Sequence, residues 1–227
     1  MMNFIIVKKA FKQTIPVLMG YLVLGCAFGM LLVDSGGYPI YYALIMSVFI
    51  YAGSMQFLTI SLLMAHYSLF NTFIMTLMVN ARHLVYGISM LKKFEKVKYL
   101  KPYMIFSLSD ETYSLLVNNN SKNKYELFLI CLFDHIYWII GSLIGACISN
   151  FITFNSSGLD FSMTALFIVI VINQIKSNKN HEATIVGFLV SIIALIIFGR
   201  DNFVIMSLVT IILILVIEKK RLDNKYE

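Results

Sequence analysis

The feature that most constrains this chain is an almost uncharged apolar run from Ile40 to Leu91, interrupted by Tyr-Ala-Gly-Ser-Met-Gln-Phe at 51–57. Backbone inside a bilayer must satisfy its hydrogen bonds within the protein, so such a run has to be helical. An Ala-Gly-Ser interruption is tolerated where it faces protein or a polar cavity, as in the broken helices at transporter substrate sites. The same small residues could instead form a helix-packing face. The sequence alone leaves both interpretations open.

The composition indicates a membrane protein. Of the 227 residues, 59% are hydrophobic and 13% are charged, whereas soluble domains carry about 25% charged residues. We therefore predict an all-α polytopic membrane protein with a cytoplasmic segment at 1–14, one transmembrane domain at 15–217 and a basic cytoplasmic tail at 218–227. The net charge of +6 comes from lysines and arginines in short loops and tails. Such charges report topology, so no nucleic-acid partner is predicted.

The predicted crossings are apolar runs near 15–33, 40–64, 68–91, 126–150, 158–173, 184–199 and 202–217. Basic loops tend to stay in the cytoplasm. The loop at 92–101 contains five lysines, and both termini are basic as well, so all three are expected inside.

This charge pattern limits the number of full spans. A chain that starts in the cytoplasm and returns to it by residue 92 crosses the membrane an even number of times, but three apolar runs lie in this interval. One of the two runs within 40–91 is therefore expected to be broken or re-entrant. The segment 102–117, with lysines on both sides, would enter the membrane and return in the same way. The result is about six full spans plus two broken or re-entrant elements, with seven to eight spans as the alternative.

Two Gly-x-x-x-Gly motifs, Gly25 to Gly29 and Gly141 to Gly145, predict close helix contacts. Each motif is followed by another apolar run that contains a polar break or end. This weak internal symmetry resembles that of transporters built from inverted repeats, so an inverted repeat is the predicted relation between the halves.

Polar residues near the end of the third run form a candidate site. In a helix, Asn80, His83 and Gly87 share one face, and Arg82 and Tyr86 share another. An arginine close to the cytoplasmic end could simply extend to lipid phosphates. Asparagine and histidine in the same turn favour a functional role, because each needs a partner inside a membrane.

Asp110 and Glu111 are adjacent in a mainly apolar segment, on one helical stripe with Ser107 and Ser114. Adjacent carboxylates resist joint ionisation in apolar surroundings, so one is expected to hold a proton near neutral pH, with Arg82 as counter-charge. If the segment is instead a loop, both carboxylates are simply hydrated.

Asp134 and His135 lie within the run 126–150, next to Tyr137 and Trp138. Asp134 could face the protein interior and take part in coupling. Alternatively, the aromatic residues could mark the membrane interface and leave the Asp-His pair among the headgroups.

Enzyme signatures are missing from the sequence. It contains no recognisable Ser-His-Asp spacing, His-Glu-x-x-His, phosphate loop or cysteine cluster. We therefore predict that the protein is not an enzyme and that it has no cofactor and no metal site.

Four segments resemble, in order, those of AzlC-type proteins, the large subunits of bacterial branched-chain amino acid exporters. They are Ile-Pro-Val-Leu-Met-Gly-Tyr…Gly-Cys-Ala-Phe-Gly (15–29), Tyr-Ala-Gly-Ser-Met-Gln-Phe (51–57), Asn-Ala-Arg-His-Leu-Val-Tyr-Gly (80–87) and Ser-Asp-Glu-Thr-Tyr (109–113). Beyond about residue 125 the resemblance rests on hydropathy and on the Trp-x-x-Gly of Trp138 to Gly141. Met55 stands where the family often has a second alanine, which could narrow the site.

The resemblance implies an exporter of leucine, isoleucine and valine, with methionine as a further candidate, in the bacterial plasma (inner) membrane. It also implies a small partner subunit of the AzlD type. The predicted substrate-binding residues are Tyr51, Ala52, Gly53, Ser54, Gln56 and Asn80, and the predicted residues of proton coupling are Arg82, His83, Asp110, Glu111 and Asp134. A second hypothesis is a non-transporting scaffold or sensor whose polar breaks hold a partner helix, and a third is an exporter of another small solute.

Overall fold

The computed structural model describes residues 4–65, 68–95, 97, 99–119, 121, 123–151, 168, 171–172, 175–176 and 181–226. The helices are α1 (Phe4–Asp34), α2 (Ile40–Phe49), α3 (Gly53–Met64), α4 (Leu69–Met90), α5 (Lys101–Phe106), α6 (Asp110–Asn118), α7 (Lys124–Phe151) and α8 (Glu182–Tyr226). No strand occurs among these described residues, as the all-α prediction requires. The chain forms two compact units, Met1–Thr164 with α1–α7 and Ala165–Glu227 with α8.

In the first unit, α1 and α7 pack against each other through both predicted Gly-x-x-x-Gly motifs. A Cβ atom added at Gly141 would lie 2.6 Å from the Tyr21 carbonyl oxygen, and one added at Gly29 would lie 2.6 Å from the Ala146 amide nitrogen. Only glycine lets two backbones approach this closely. The predicted close contact is confirmed at both motifs, and the two motifs are each other's partners. We call Gly25, Gly29, Gly141 and Gly145 the glycine seam.

The two helices of the seam run in the same direction, because contact partners advance together along both. Lys9 pairs with Glu126, Thr14 with Tyr137, Tyr21 with Trp138 and Gly29 with Ala146. An inverted repeat is related by an axis in the membrane plane, which reverses the direction of corresponding helices. The inverted relation predicted from the two glycine motifs is therefore wrong for α1 and α7. Their common direction is that of repeats related by an axis along the membrane normal.

Two of the predicted segments are broken. The run 40–64 separates into α2 and α3 around residues 50–52, and 101–118 separates into α5 and α6 around 107–109. Of the two runs within 40–91, the first is thus the discontinuous one, while α4 is continuous over 22 residues. Ser107 does not belong to the helical stripe predicted for Asp110, because the chain bends between them.

Helix length and composition bear on the number of spans. In the described part of the chain, two helices are long and apolar enough to cross a membrane, Phe4–Asp34 and Lys124–Ser149. Shorter apolar helices are Ile40–Phe49, Gly53–Met64 and Thr184–Gly199. In the second unit, α8 has a non-helical residue at Gly199, with φ 70°, between the predicted runs 184–199 and 202–217. Most of the predicted run 158–173 lies outside the described residues.

The lysine-rich loop after α4 holds the end of α6. Phe94 and Val97 from this loop are buried in an apolar cluster that also contains Leu116. The Lys93 ammonium donates to the carbonyl oxygens of Leu116 and Asn119, the second at 2.6 Å. Lysine at a helix C-terminus satisfies free carbonyls and complements the helix dipole. Burial lowers the pKa of Lys93.

Candidate functional site

The break between α2 and α3 forms one wall of the candidate site. Tyr51 has a positive φ of 39°, and Ala52 is extended, with φ −134° and ψ 90°. The chain therefore turns sharply before Gly53 begins α3. Ala52 makes no side-chain cap, so no cap covers the first N–H groups of α3, where the helix dipole is positive. Of the predicted binding residues here, Gly53 is half-buried and the others, Tyr51, Ala52, Ser54 and Gln56, are buried.

Gly53 acts as a packing residue against α7. A Cβ atom at this position would lie 3.0 Å from Cη2 of the Trp138 indole. The Trp138 Nε1–H donates to Gln56 Oε1 at 2.7 Å, and Gln56 Nε2 donates to Ser47 Oγ at 3.3 Å. Through Gln56, these bonds link α2 and α3 to each other and to Trp138 of α7.

Asp134 and His135 are in the interior, 0% and 7% exposed, which is the first of the two interpretations of this pair. His135 Nε2 lies 3.1 Å from the Ser47 carbonyl oxygen, and Nδ1 lies 3.0 Å from the Tyr103 hydroxyl. The His135 ring also packs 4.2 Å from the Tyr51 ring, centroid to centroid. The histidine therefore supports the backbone just before the break.

Arg82 joins α4 to α6 and to the start of α3. Its Nη1 lies 3.0 Å from Asp110 Oδ2, and its Nη2 donates to Ser54 Oγ at 2.8 Å. The Tyr86 hydroxyl donates to Asp110 Oδ1 at 2.7 Å. The side chains of Arg82 and Asp110 are 25% and 18% exposed, so the guanidinium is turned into the protein. We call Ser54, Arg82, Tyr86 and Asp110 the arginine cluster.

The cluster concentrates positive potential at the start of α3. A helix N-terminus behaves as roughly half a positive charge and attracts anions, whereas a cation is unfavourable there. Arg82 is held at this end by Asp110, which neutralises part of its charge. An additional anion near Ser54 would be stabilised by both the guanidinium and the uncapped N–H groups.

Asp110 and Glu111 direct their hydrogen bonds to different helices, because neighbouring residues on a helix do not face the same way. Glu111 Oε2 accepts from the Tyr21 hydroxyl of α1 at 2.9 Å, whereas Asp110 bonds to α4. The two carboxyl groups therefore bond to different partners, and the single protonated carboxyl expected from their adjacency stays a prediction.

A row of hydroxyl groups connects Glu111 to Asp134. The Tyr21 oxygen is also 2.5 Å from Ser109 Oγ, and its single hydrogen can serve only one of these two bonds. Ser109 Oγ donates to Thr112 Oγ1 at 3.0 Å, and Thr112 Oγ1 donates to Asp134 Oδ2 at 2.8 Å. Ser109 is also the N-cap of α6, accepting the Thr112 N–H at 3.1 Å. We call Glu111, Tyr21, Ser109, Thr112 and Asp134 the hydroxyl chain.

Asn80 and His83 lie on α4 beside the arginine cluster. The His83 ring packs edge-on against Tyr86, with centroids 5.8 Å apart. Asn80 Oδ1 is buried without a hydrogen-bond partner, as are the Tyr51 hydroxyl and Asp134 Oδ1. Buried polar atoms nearly always have partners, so each of these atoms is a candidate contact for a bound ligand or proton.

Open space lies beside the N-terminal part of α1 and the C-terminal end of α6. A cavity of about 630 Å³ is lined by Lys9, Gln13, Ser114, Leu115, Asn118, Asn119 and Ser121. The break itself is closed, since four of its five predicted binding residues are buried. A solute would reach the break only after a conformational change.

Several residues of the site were missed from the sequence, namely Tyr21, Ser47, Tyr103, Ser109 and Thr112. Each is an ordinary polar residue with at least one partner on another helix. One local signal was available, because Ser109 stands before an acidic first turn at Asp110, in the pattern of a helix N-cap. That pattern predicts the start of α6 but not the contact of Ser109 with α1.

Comparison with known proteins gives consistent relatives. The family model described as "AzlC protein" matches residues 16–152. The branched-chain amino acid transport protein AzlC of Bacillus subtilis is 40% identical over 221 residues, covering 96% of this chain and 87% of that protein. A membrane protein of Helicobacter pylori is 42% identical over 220 residues, covering 95% and 96% of the two chains. The inner membrane protein YgaZ of Escherichia coli is 26% identical over 203 residues, covering 80% and 79%. No solved structure matches the chain.

Proposed function

The chain belongs to the AzlC family, and we propose that it is the large subunit of a secondary exporter of branched-chain amino acids. Leucine, isoleucine and valine are the expected substrates, with methionine as a further candidate. The protein would act in the bacterial plasma membrane with both termini in the cytoplasm, together with a small AzlD-type membrane subunit. The name of the Bacillus subtilis relative supports the substrate class, and the structure contributes a mode of recognition.

The observation that carries the proposal is the Arg82 guanidinium bonded to Ser54 at the uncapped start of α3. Every amino-acid substrate has a carboxylate, and the guanidinium and the free N–H groups at this helix start both favour an anion. Half-helix N-termini at a membrane break bind substrate carboxylates in other transporters. Substrate binding would thus use Ser54, Arg82 and the backbone of Ala52 and Gly53.

The branched side chain would lie on the apolar side of the break. Phe57 of α3 is buried there against Phe28, 6% exposed, and can contact aliphatic carbon without any polar group. An apolar pocket separates aliphatic substrates only weakly, by about 1–3 kcal/mol per methylene. A range that covers leucine, isoleucine and valine is therefore expected.

We propose that export is coupled to the proton gradient through the carboxylates of α6. Asp110 is paired with Arg82 beside His83, and Glu111 and Asp134 end the hydroxyl chain. Asp110→Asn or Glu111→Gln should stop accumulation against a gradient and leave counterflow exchange of leucine largely intact. Loss of exchange together with net efflux would instead assign the carboxylate to substrate binding.

The central test is efflux from cells preloaded with a leucine-containing dipeptide, with and without the partner subunit. The wild-type chain with its partner should release leucine against a gradient. Ser54→Ala removes a hydrogen bond to a charged donor, worth about 1.5–3 kcal/mol, so efflux should fall roughly tenfold or more. Ser61→Ala, at an exposed position of the same helix, is the matched control and should behave as wild type. Absence of efflux from the wild-type pair would favour the scaffold or sensor.

Loss of export in Gly53→Leu would be weak evidence that Gly53 borders the substrate path. A leucine there would displace the Trp138 indole, 3.0 Å from the added Cβ, whether or not substrate passes. We expect Gly53→Leu to abolish export, but a well-expressed variant with normal efflux would remove Gly53 from the proposed site.

A further inference from the structure

The hydroxyl chain joins one buried carboxyl group to one that is partly exposed. Asp134 is 0% exposed, whereas Glu111 is half-buried. Tyr21 and Thr112, which lie between them, are 3% and 0% exposed, and Ser109 in the middle is half-buried. Hydrogen bonds connect each neighbour to the next without a gap, from Glu111 Oε2 through three hydroxyl oxygens to Asp134 Oδ2.

Counting hydrogen atoms favours one protonation state of this chain. It has four hydrogen bonds, but its three hydroxyl groups supply only three hydrogens. If both carboxyl groups were ionised, one bond in a buried network would lack a hydrogen, which is costly. If both were protonated, one hydrogen would have no acceptor within the chain. One proton shared by the two carboxyl groups satisfies every bond.

We infer that Glu111 and Asp134 share a single proton and exchange it through Tyr21, Ser109 and Thr112. When Glu111 holds the proton, the three hydroxyls all point towards Asp134; when Asp134 holds it, they all point towards Glu111. These are two complete hydrogen-bond arrangements of the same oxygen atoms, and they differ in which carboxyl group is charged.

The transfer conserves atoms and charge. The Glu111 O–H bond breaks as its proton passes to the Tyr21 oxygen, and the Tyr21 hydroxyl proton passes to Ser109. The Ser109 proton then passes to Thr112, and the Thr112 proton forms the new O–H bond on Asp134. Glu111 becomes the carboxylate, and each hydroxyl has one hydrogen before and after.

The groups around the hydroxyl chain favour transfer of the single negative charge between Glu111 and Asp134 over protonation of both carboxyl groups. Asp110 and Arg82 pair with each other next to Glu111, so Asp110 neutralises part of the Arg82 charge there. Around Asp134 lie the Cys131 and Tyr51 side chains, together with His135. Asp134 Oδ1 is buried without a hydrogen-bond partner, so this oxygen is free to meet an arriving ligand. The relay would deliver a proton from the half-buried Glu111 to this interior carboxyl group.

Infrared spectroscopy of the purified full-length protein tests the shared proton directly. At neutral pH, one protonated-carboxyl C=O band should be present. It should disappear in Asp134→Asn and equally in Glu111→Gln, because either amide supplies the missing hydrogen and leaves the other group ionised. A band that survives Glu111→Gln, or no band in wild type, would overturn the inference.

The role in transport rests on the proposed function and needs a separate measurement. Thr112→Val is close in shape but breaks the chain, so gradient-driven efflux should fall at least tenfold while leucine counterflow continues; Thr112→Ser keeps a hydroxyl and should retain coupling. Equal coupling in Thr112→Val and wild type would exclude the relay. If wild type exports no leucine, the proposed function fails, and the infrared result still decides whether the proton is shared. The same infrared result stands if Thr112→Val does not fold.

Discussion

The glycine seam and the arginine cluster both hold helices together, but they do so in opposite ways. The seam depends on the absence of side chains, because α1 and α7 touch through backbone atoms at positions where a Cβ atom would clash. The cluster works by pairing, because Arg82, Asp110, Tyr86 and Ser54 satisfy one another across three helices. A substitution in the seam adds a side-chain atom that overlaps the backbone of the other helix. A substitution in the cluster removes a charge or hydrogen-bond partner, and a second substitution can remove the group left unpaired.

The largest effect is expected in the seam. In Gly29→Ala the new methyl group would lie 2.6 Å from the Ala146 amide nitrogen, so the helices must move apart. Overpacking costs about 1–3 kcal/mol and more where backbone cannot yield, and we expect the upper end or beyond. Thermal unfolding in detergent measures this. Gly20→Ala, at an exposed position of the same helix with nothing within 4 Å of its Cβ, is the control and should change little. Equal melting of both variants would show that the seam is not needed.

The second effect is loss of the ion pair in Arg82→Gln. Removing one member of a buried pair costs about 3–5 kcal/mol, and the low end is expected here because the side chains are 25% and 18% exposed. Arg82→Gln with Asp110→Asn leaves no unpaired charge and should recover most of the stability. Unfolding measurements on the two single variants and the double variant give the coupling energy.

The same variants separate structure from binding in the arginine cluster. If Arg82 binds the substrate carboxylate, the double variant should fold but show no leucine counterflow, while Asp110→Asn alone retains it. Full counterflow in the double variant would mean that Arg82 serves only to balance Asp110. The seam allows no such rescue, since no second substitution can make room in a backbone contact.

A third, qualitative effect concerns the direction of the helices in the seam. Because α1 and α7 are parallel, their first residues must lie on one side of the membrane. Cysteines placed at Lys12, Lys96 or Lys124 in a chain without Cys26, Cys131 and Cys147 should all resist an impermeant thiol reagent in intact cells.

The matched position for this labelling experiment is Asp34, at the other end of α1. A cysteine there should label readily from outside. Labelling at Lys124 but not at Lys12 would contradict the parallel seam, and labelling at Lys96 would support eight spans.

The smallest effect is expected at Ser149, four residues beyond the seam on α7. Its hydroxyl oxygen is buried without a hydrogen-bond partner, so Ser149→Ala removes an unsatisfied group. The unfolding free energy should rise by up to about 1 kcal/mol or stay unchanged. A clear loss of stability would indicate that Ser149 has a partner in the membrane, with the small subunit as the first candidate.

The seam was predictable because its signal is local. Glycines spaced by four residues identify a close-contact face wherever the helix lies, and both faces are used. The direction of the partner helix was not predictable, since a small-residue motif is the same for parallel and antiparallel packing. The break at 51–52 was also visible, because Ala, Gly and Ser interrupt an apolar run of membrane length.

The polar contacts were harder to predict. The pairing of Arg82 with Asp110 could be guessed, because few charges lie in apolar segments and each needs a counter-charge. The hydroxyl chain could not, since Tyr21, Ser109 and Asp134 come from three distant segments and no spacing rule connects them. A break in 102–117 was expected from the lysines on both sides of the segment, but its position at 107–109 was not. That position changed which residues share a face with Asp110.

The backbone of Tyr51 gives the closed break a built-in bias. Non-glycine residues are costly in the left-handed region, by about 1–3 kcal/mol, and Tyr51 has φ 39°. If Tyr51 adopts an ordinary negative φ when the break opens, this strain energy destabilises only the closed conformation. It corresponds to roughly a 5- to 150-fold change in the ratio of the two states. The strained tyrosine backbone thus destabilises the closed state relative to the open state. A substrate then needs to supply less binding free energy to populate the open state.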